Sequence, residues 1–349
     1  MEESKEQSQA LHGLCRVANE KEPVEALREK LHTSGSTGKP KEIWVEKSRM
    51  RASATMTCDF LDLRPGDTAL LCLSTDYIAG RMMEVRAEVR GLRLIRRAPS
   101  SHPLKDVEEP VDLAALVPLQ VYETLRVPLE RERLRNIRHL LIGGGAIDPE
   151  MEAVLRDFPH HVWSTYGMTE TLSHIALRPV SGENASLWYE PLPGVSVSKD
   201  ENDCLVIDAP HLHPDILHTR DIVEFLDEQS GKAEHRDSRH FRILGRLDNV
   251  ICSGGIKIQI EEVEGFLRTF LGHTVMVTSR PDPKFGEAVV YLSTKPIEEQ
   301  LLRQAIPHPF WLPKQIVYVS SLPATQNGKP DRQRAKALAH STLSYPEKR

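Results

Sequence analysis

Thr33, Ser34, Gly35, Ser36, Thr37, Gly38 and Lys39 place four hydroxyls, two glycines and a cation within seven residues. Glycines let backbone N–H groups come close to an anion, hydroxyls donate to phosphate oxygens, and Lys39 brings charge. The stretch reads as a phosphate cradle. It is not the nucleotide loop GxxxxGK followed by Ser or Thr, because Gly35 and Gly38 are three apart and Pro40 follows Lys39. Ser36 to Lys39 also fits the SxxK of serine β-lactamases, but the companion SDN and KTG signatures are missing. A plain Gly/Ser turn would leave the flanking Thr33, Lys39 and Lys41 unexplained.

Further groups could serve a nucleotide. The run Ser164–Thr171 sets Tyr166, with a planar face for a base, beside Gly167, a Thr169 hydroxyl and the Glu170 carboxylate. Gly143, Gly144 and Gly145 would make a floor with no side chains. Asp221 could accept from two neighbouring hydroxyls, and Arg246 and Asp248 follow in Gly245-Arg-Leu-Asp248. Lys329 sits in Asn-Gly-Lys-Pro, which by itself reads as an exposed turn. His160-His161 and His211/His213 lack partners at metal-ligand spacing. The five cysteines (Cys15, Cys58, Cys72, Cys204, Cys252) form no CxxC, which disfavours a disulfide scaffold or structural zinc and fits a reducing cytoplasm.

Elements must hold these groups. Residues 67–74 and 137–142 read as buried strands, 92–97 as a strand, and 78–91 as a helix stopped by Gly91. Asp148 is an N-cap with Pro149 at the first helical position. This alternation implies an α/β sheet. Strands follow at 204–209, 221–227 and 240–245. Beyond Asp248 come helices at 261–270, 297–306 and 331–340, and strands at 275–279, 287–293 and 314–320. Residues 1–32 read as helical or frayed. The expectation is an α/β protein with a large layered N-terminal domain, 1–247, and a small mobile α+β domain, 248–349. That agrees with 349 residues at ~150 per domain. A net charge of −5 argues against a chain-wide nucleic-acid surface. The basic stretch Arg126–Arg138, interrupted by Glu130 and Glu132, reads as a solvated amphipathic helix. No window approaches the ~18 apolar residues of a membrane span, and MEESKEQSQA is unlike a signal peptide.

Five segments, in order, resemble the acyl-adenylate-forming, AMP-binding superfamily: TSGSTGKPK (33–41), STYGMTET (164–171), HTRDIVEF (218–225), GRLDNVICSGGIKI (245–258) and PATQNGKPDR (323–332). The resemblance implies an ATP-dependent acid–thiol ligase. A carboxylate attacks the α-phosphorus of ATP to give acyl-AMP and pyrophosphate, and coenzyme A then displaces AMP. It implies that Thr33–Lys39 cradle phosphate, that Gly144, Gly145, Tyr166 and Gly167 bind the nucleotide, and that Thr169 touches the α-phosphate. It makes Glu170 the Mg²⁺ ligand, gives the ribose to Asp221 with Arg246, and makes Lys329 the catalytic cation between carboxylate and phosphate. Asp248 falls on the hinge, and Gly254 and Gly255 would line the pantetheine tunnel. Arg220 stands where family members often carry glycine.

Residues 76–91, 166–177 and 244–264 look most like the o-succinylbenzoate–CoA ligase subfamily of menaquinone biosynthesis. That substrate has a second carboxylate, for which an arginine is the natural partner. Arg86 is the first candidate and Arg81 the alternative, since the two differ in helical phase. Tyr77, in place of a histidine common in the family, and Thr171 and Ser173 complete the expected acid pocket. The phosphate loop begins at residue 33, so the resemblance implies a compact form without the usual N-terminal subdomain, whose apolar surface would favour a homodimer. Two other readings stand beside this one: a ligase or carrier-loading enzyme for another aryl or acyl acid, and a non-catalytic nucleotide-binding homologue. Partners are expected to be small molecules, with no nucleic acid and no membrane insertion.

Overall fold

The computed structural model describes residues 27–32, 42–226, 240–325 and 330–341. Three sheets and a hairpin carry the chain. β1 (Arg28–His32) and β2 (Glu42–Glu46) pair antiparallel, with His32 opposite Glu42. Residues 28–32, expected as helix or frayed chain, are therefore strand. Their alternation turns Leu31 and Val45 onto helices α1 (Lys47–Phe60) and α2 (Ile78–Arg90). The loop 33–41 between the two strands lies outside the described residues.

The main sheet runs β4-β3-β5-β6-β7-β8-β9, with β3 (Thr68–Leu71), β4 (Arg93–Arg96), β5 (Leu113–Leu116), β6 (His139–Ile142), β7 (His161–Gly167), β8 (His174–Pro179) and β9 (Glu190–Pro191). It is parallel from β4 to β7, then antiparallel through β8 and β9. Strands covered on both faces read as unbroken apolar runs, and here the two-residue period divides them. Ala69, Leu71 and Leu141 face one core with Met83 and Ala87 of α2. Leu70, Leu140 and Ile142 face the other, with Val121 of α3 (Pro118–Leu125), Leu134 of α4 (Pro128–Arg135) and Met151 and Leu155 of α5 (Pro149–Arg156). Gly91 ends α2 at φ 67°, a left-handed cap open to glycine. Asp148 caps α5, accepting from the Glu150 and Met151 N–H groups at 2.9 and 3.3 Å. The basic stretch is not one solvated helix: α3 and α4 break between Leu125 and Pro128, and Glu130 is buried against His102.

A four-stranded antiparallel sheet, β10 (Ser196–Lys199), β11 (Cys204–Asp208), β12 (Leu217–Phe225) and β13 (Phe241–Arg246), closes the first core with Leu205, Ile207, Val223, Phe225 and Phe241. A separate five-stranded sheet follows: β14 (Val250–Ser253), β15 (Ile256–Gln259), β16 (Val275–Asp282), β17 (Gly286–Ser293) and β18 (Gln315–Tyr318). One face packs Val277 and Tyr291 on α6 (Ile260–Leu271) and α7 (Glu299–Ala305), the other Val290 and Leu292 on α8 (Arg332–Ser341). His273 meets the Asp148 cap at 2.9 Å, joining α6's end to α5's start. Among the described residues no helix is long and apolar enough to cross a membrane.

Candidate active site

Two candidate segments lie at the carboxyl ends of parallel strands, where open α/β sheets bind ligands: Gly143–Gly145 after β6 and Tyr166–Gly167 at the end of β7, where pairing changes from parallel to antiparallel. Gly143–Gly145 leave β6 there. A side chain at Gly143 would overlap the Thr165 hydroxyl.

β12 and β13 set Asp221 opposite Arg246. Arg246 pairs with Asp221 Oδ1 at 2.8 Å, while the Tyr166 hydroxyl donates to Asp221 Oδ2 at 2.6 Å. Arg246 also donates to Asp248 at 3.0 Å, and Arg220 closes on the other oxygen of Asp248 at 2.8 Å. Two carboxylates and two guanidiniums thus alternate along a single network. Arg220, in the expected glycine's place, is a charge partner for Asp248. Burial works against the Arg246 charge, but Asp221 and Asp248 outweigh it and hold the guanidinium protonated. Burial, with the Asp221 charge, pushes the Tyr166 hydroxyl well up.

Tyr166 is 8% exposed. Phe241 and Tyr189 meet its ring edge-to-face at 5.4 and 6.1 Å. It presents a hydroxyl to Asp221, whereas the sequence suggested an open face for a base. The strand then turns into β8. A Cβ on Gly167 would overlap the Ser173 carbonyl and His174 Cα, so only glycine lets the turn close this tightly. Thr171 is fully buried. Its hydroxyl oxygen accepts from Met168 N–H at 3.0 Å and its proton goes to the Ser173 carbonyl at 2.7 Å. Leu172 sits at φ 65°, a conformation that costs a non-glycine residue energy and needs surrounding support.

The turn leaves Thr169 half-buried and Glu170 exposed, with no cation paired to Glu170 among the described residues. Nor do those residues contain a cluster of three acidic, histidine or cysteine groups able to hold a metal. Glu170 is thus an exposed, unpaired carboxylate at this turn among the described residues.

The two candidate arginines part company. Arg81 is satisfied within the chain, by Glu29 and by Glu84 at 2.7 Å. Arg86 is 2% exposed and has no carboxylate partner among the described residues. It donates to Ser173 Oγ and lies 3.6 Å from the Met83 sulfur, and its Nε has no partner. Burial pulls its pKa down to about 10. Arg86 thus buries its Nε donor without an acceptor among the described residues. Thr57 and His174 adjoin it: His174 Nε2 lies 2.9 Å from Thr57 Oγ1 and Nδ1 lies 3.4 Å from Ser173 Oγ. Sequence reasoning missed both, because 117 residues separate them. Tyr77 is half-buried at the start of α2, and a side chain at Gly80 would overlap the Ser74 carbonyl.

Asp248 lies in a short 3-10 turn, Leu247–Asn249. Gly254 and Gly255 make the turn from β14 to β15 at φ 60° and 83°. Thr33–Lys39 and Lys329 lie outside the described residues. Ala324 and Pro330 form an isolated antiparallel bridge.

Residues 4–214 match the AMP-binding enzyme family. A 2-succinylbenzoate–CoA ligase of Listeria monocytogenes (serotype 4b, strain F2365) is 27% identical over 336 residues, 88% of this chain and 69% of that protein. The crystal structure of an acyl-CoA synthetase (AMP-forming)/AMP-acid ligase II-like protein from Dyadobacter fermentans is 33% identical, covering 91% of this chain and 90% of that one, with a TM-score of 0.58. Bacillus subtilis o-succinylbenzoate CoA synthetase, solved with the acyl-adenylate intermediate, shares the fold at a TM-score of 0.71 and 21% identity, covering 88% of this chain and 68% of that one. With Tyr166 at the end of β7 joined to Asp221 and Arg246 of the neighbouring sheet, and with a family match over more than half its length, this chain belongs to the AMP-binding enzymes.

Proposed function

We propose that the chain is an ATP-dependent, AMP-forming acid–CoA ligase whose acid is o-succinylbenzoate. The observation that carries the acid is Arg86: an enclosed, carboxylate-free guanidinium a few residues in space from the nucleotide-side turn. Activating a monocarboxylic acid needs no such group. A dicarboxylate needs one end held while the other reacts, and the curated relative from Listeria is named for that substrate.

In this reading ATP lies at the strand ends, with its phosphates on the loop Thr33–Lys39 and over Gly144 and Gly145. Tyr166 and Gly167 shape the nucleotide site. Asp221, already oriented by Tyr166 and Arg246, takes the ribose hydroxyls. Glu170 would hold a magnesium ion, which would supply charge neutralisation at the phosphates, and Thr169 donates to the α-phosphate. Arg86, seated on Ser173, fixes the distal carboxylate, with Tyr77 and Thr171 shaping the wall and Arg81 serving as a structural ion pair. Lys329 brings its ammonium between the reacting carboxylate and the α-phosphate. Two anions meet there, so fixed positive charge stabilises the transition state directly. The small domain, 248–349, then turns about Asp248 and presents Gly254 and Gly255 to the pantetheine arm. A soluble acid, ATP and CoA are all cytoplasmic metabolites, in keeping with the sparse cysteines.

Product analysis tests this. Incubation with o-succinylbenzoate, ATP, Mg²⁺ and CoA should yield the mono-CoA thioester with one AMP per thioester. Formation of ADP, or of no thioester while ATP binds, would overturn it.

A further inference from the structure

Thr57, His174, Ser173 and Arg86 form one connected set of buried hydrogen bonds. Arginine only donates, so Ser173 Oγ accepts from it. At the far end, the Thr57 hydroxyl donates to the Ser53 carbonyl at 3.2 Å. A hydroxyl has one proton, so toward His174 the Thr57 oxygen is an acceptor. With the Thr57 proton kept by Ser53, the 2.9 Å contact is made by a proton on His174 Nε2. His174 is neutral, because burial and the neighbouring Arg86 charge push its pKa well below 6.5. A neutral ring protonated at Nε2 has a bare Nδ1. That nitrogen accepts the Ser173 hydroxyl proton across 3.4 Å. Thr57 is wholly buried and His174 is 7% exposed.

We propose that His174 is a positioning residue for the acid pocket: Thr57 fixes it as the Nε2–H tautomer, it draws the Ser173 proton to Nδ1, and Ser173 then has only lone pairs to present to Arg86. The guanidinium is thereby anchored on one side with its remaining donors free for the acid's distal carboxylate. The tautomer part stands on the Ser53–Thr57–His174 geometry together with the burial that keeps His174 neutral, and the link to the acid rests on the ligase reading above.

Two substitutions separate positioning from packing. His174→Leu keeps bulk and removes both nitrogens. His174→Gln keeps one acceptor and one donor. In ATP–pyrophosphate exchange, His174→Leu should raise KM for o-succinylbenzoate about tenfold while kcat at saturating acid changes less than about threefold, and His174→Gln should recover most of the KM loss. Equal falls in kcat and kcat/KM, an unchanged KM, or no recovery in His174→Gln would overturn the assignment. The second measurement needs no substrate. ¹⁵N NMR of histidine-labelled protein should show His174 with a protonated Nε2 and a bare Nδ1, and Thr57→Val should mix the tautomers. A bare Nε2 in the parent protein, or a Thr57→Val spectrum identical to it, would contradict the proposal even if the acid proved to be another. Exchange with a different acid alone would fail the substrate reading and leave the tautomer result to decide this one.

Discussion

Asp221 and Arg246 face each other across neighbouring antiparallel strands and are joined by a 2.8 Å ion pair, with Tyr166 on the second carboxylate oxygen. The carboxylate is thus held from both sides before any ligand arrives. Such preorganisation lowers the ordering cost of binding.

Asp221→Asn keeps the shape and removes the charge. Arg246 would keep Asp248, so the fold should survive with a small loss of stability. We expect KM for ATP to rise about tenfold or more, as for a hydrogen-bonded charge lost from a binding site. Initial rates across ATP concentrations, with the thermal midpoint alongside, check this.

Arg86→Met should separate stability from function. The guanidinium is desolvated without a carboxylate partner, so replacing it with an apolar chain should leave stability unchanged or raise it by ~1–3 kcal/mol. Binding of a dicarboxylic acid should fall by at least ~30-fold, the scale of losing a buried charged contact. Denaturant melts and acid-dependent kinetics on the same preparation check both halves. A destabilised variant with normal acid affinity would make Arg86 a structural residue.

Lys329→Ala should cripple the first half-reaction selectively. Loss of one such charge-stabilising donor typically costs ~10²–10³ in rate. Thioester formation from supplied acyl-AMP and CoA should be largely retained. Equal loss of both half-reactions would remove Lys329 from the adenylation step.

Acid stability should depend on His139. Burial, reinforced by His161 and Arg138, lowers its pKa from 6.5 to about 4. Between those values the unfolded chain binds a proton that the folded chain refuses. Its contribution is fully present above 6.5 and is lost as pH falls toward 4, a loss of up to ~3 kcal/mol. His139→Leu should flatten the pH dependence of the urea midpoint over that window. His174, whose pKa is lowered for the same reason, should leave a residual slope.

What the sequence disclosed followed local rules. The strand and helix runs around Leu70, Gly91, Leu141 and Asp148 were legible because two-residue and 3.6-residue periods and cap chemistry are written in consecutive residues. Asp221 and Arg246 were legible as separate motif members, and their pairing was not, since it depends on strand register. The choice between Arg81 and Arg86 was closed to sequence reasoning because Glu29, which satisfies Arg81, lies 52 residues away. The Tyr166 ring was misjudged for a similar reason: Phe241 and Tyr189, which cover it, come from distant strands. The strand at Arg28–His32 escaped because Arg28, Glu29 and Lys30 are three consecutive charges before the buried Leu31, so no apolar/polar alternation is written there.

The central claim is acid activation as an adenylate. Pyrophosphate exchange into ATP, with Mg²⁺ and o-succinylbenzoate beside benzoate, succinate and medium-chain fatty acids, tests it most directly. Exchange dependent on o-succinylbenzoate, and weak or absent with the others, is the expected result. No exchange with any acid, in protein that binds ATP, would contradict the account.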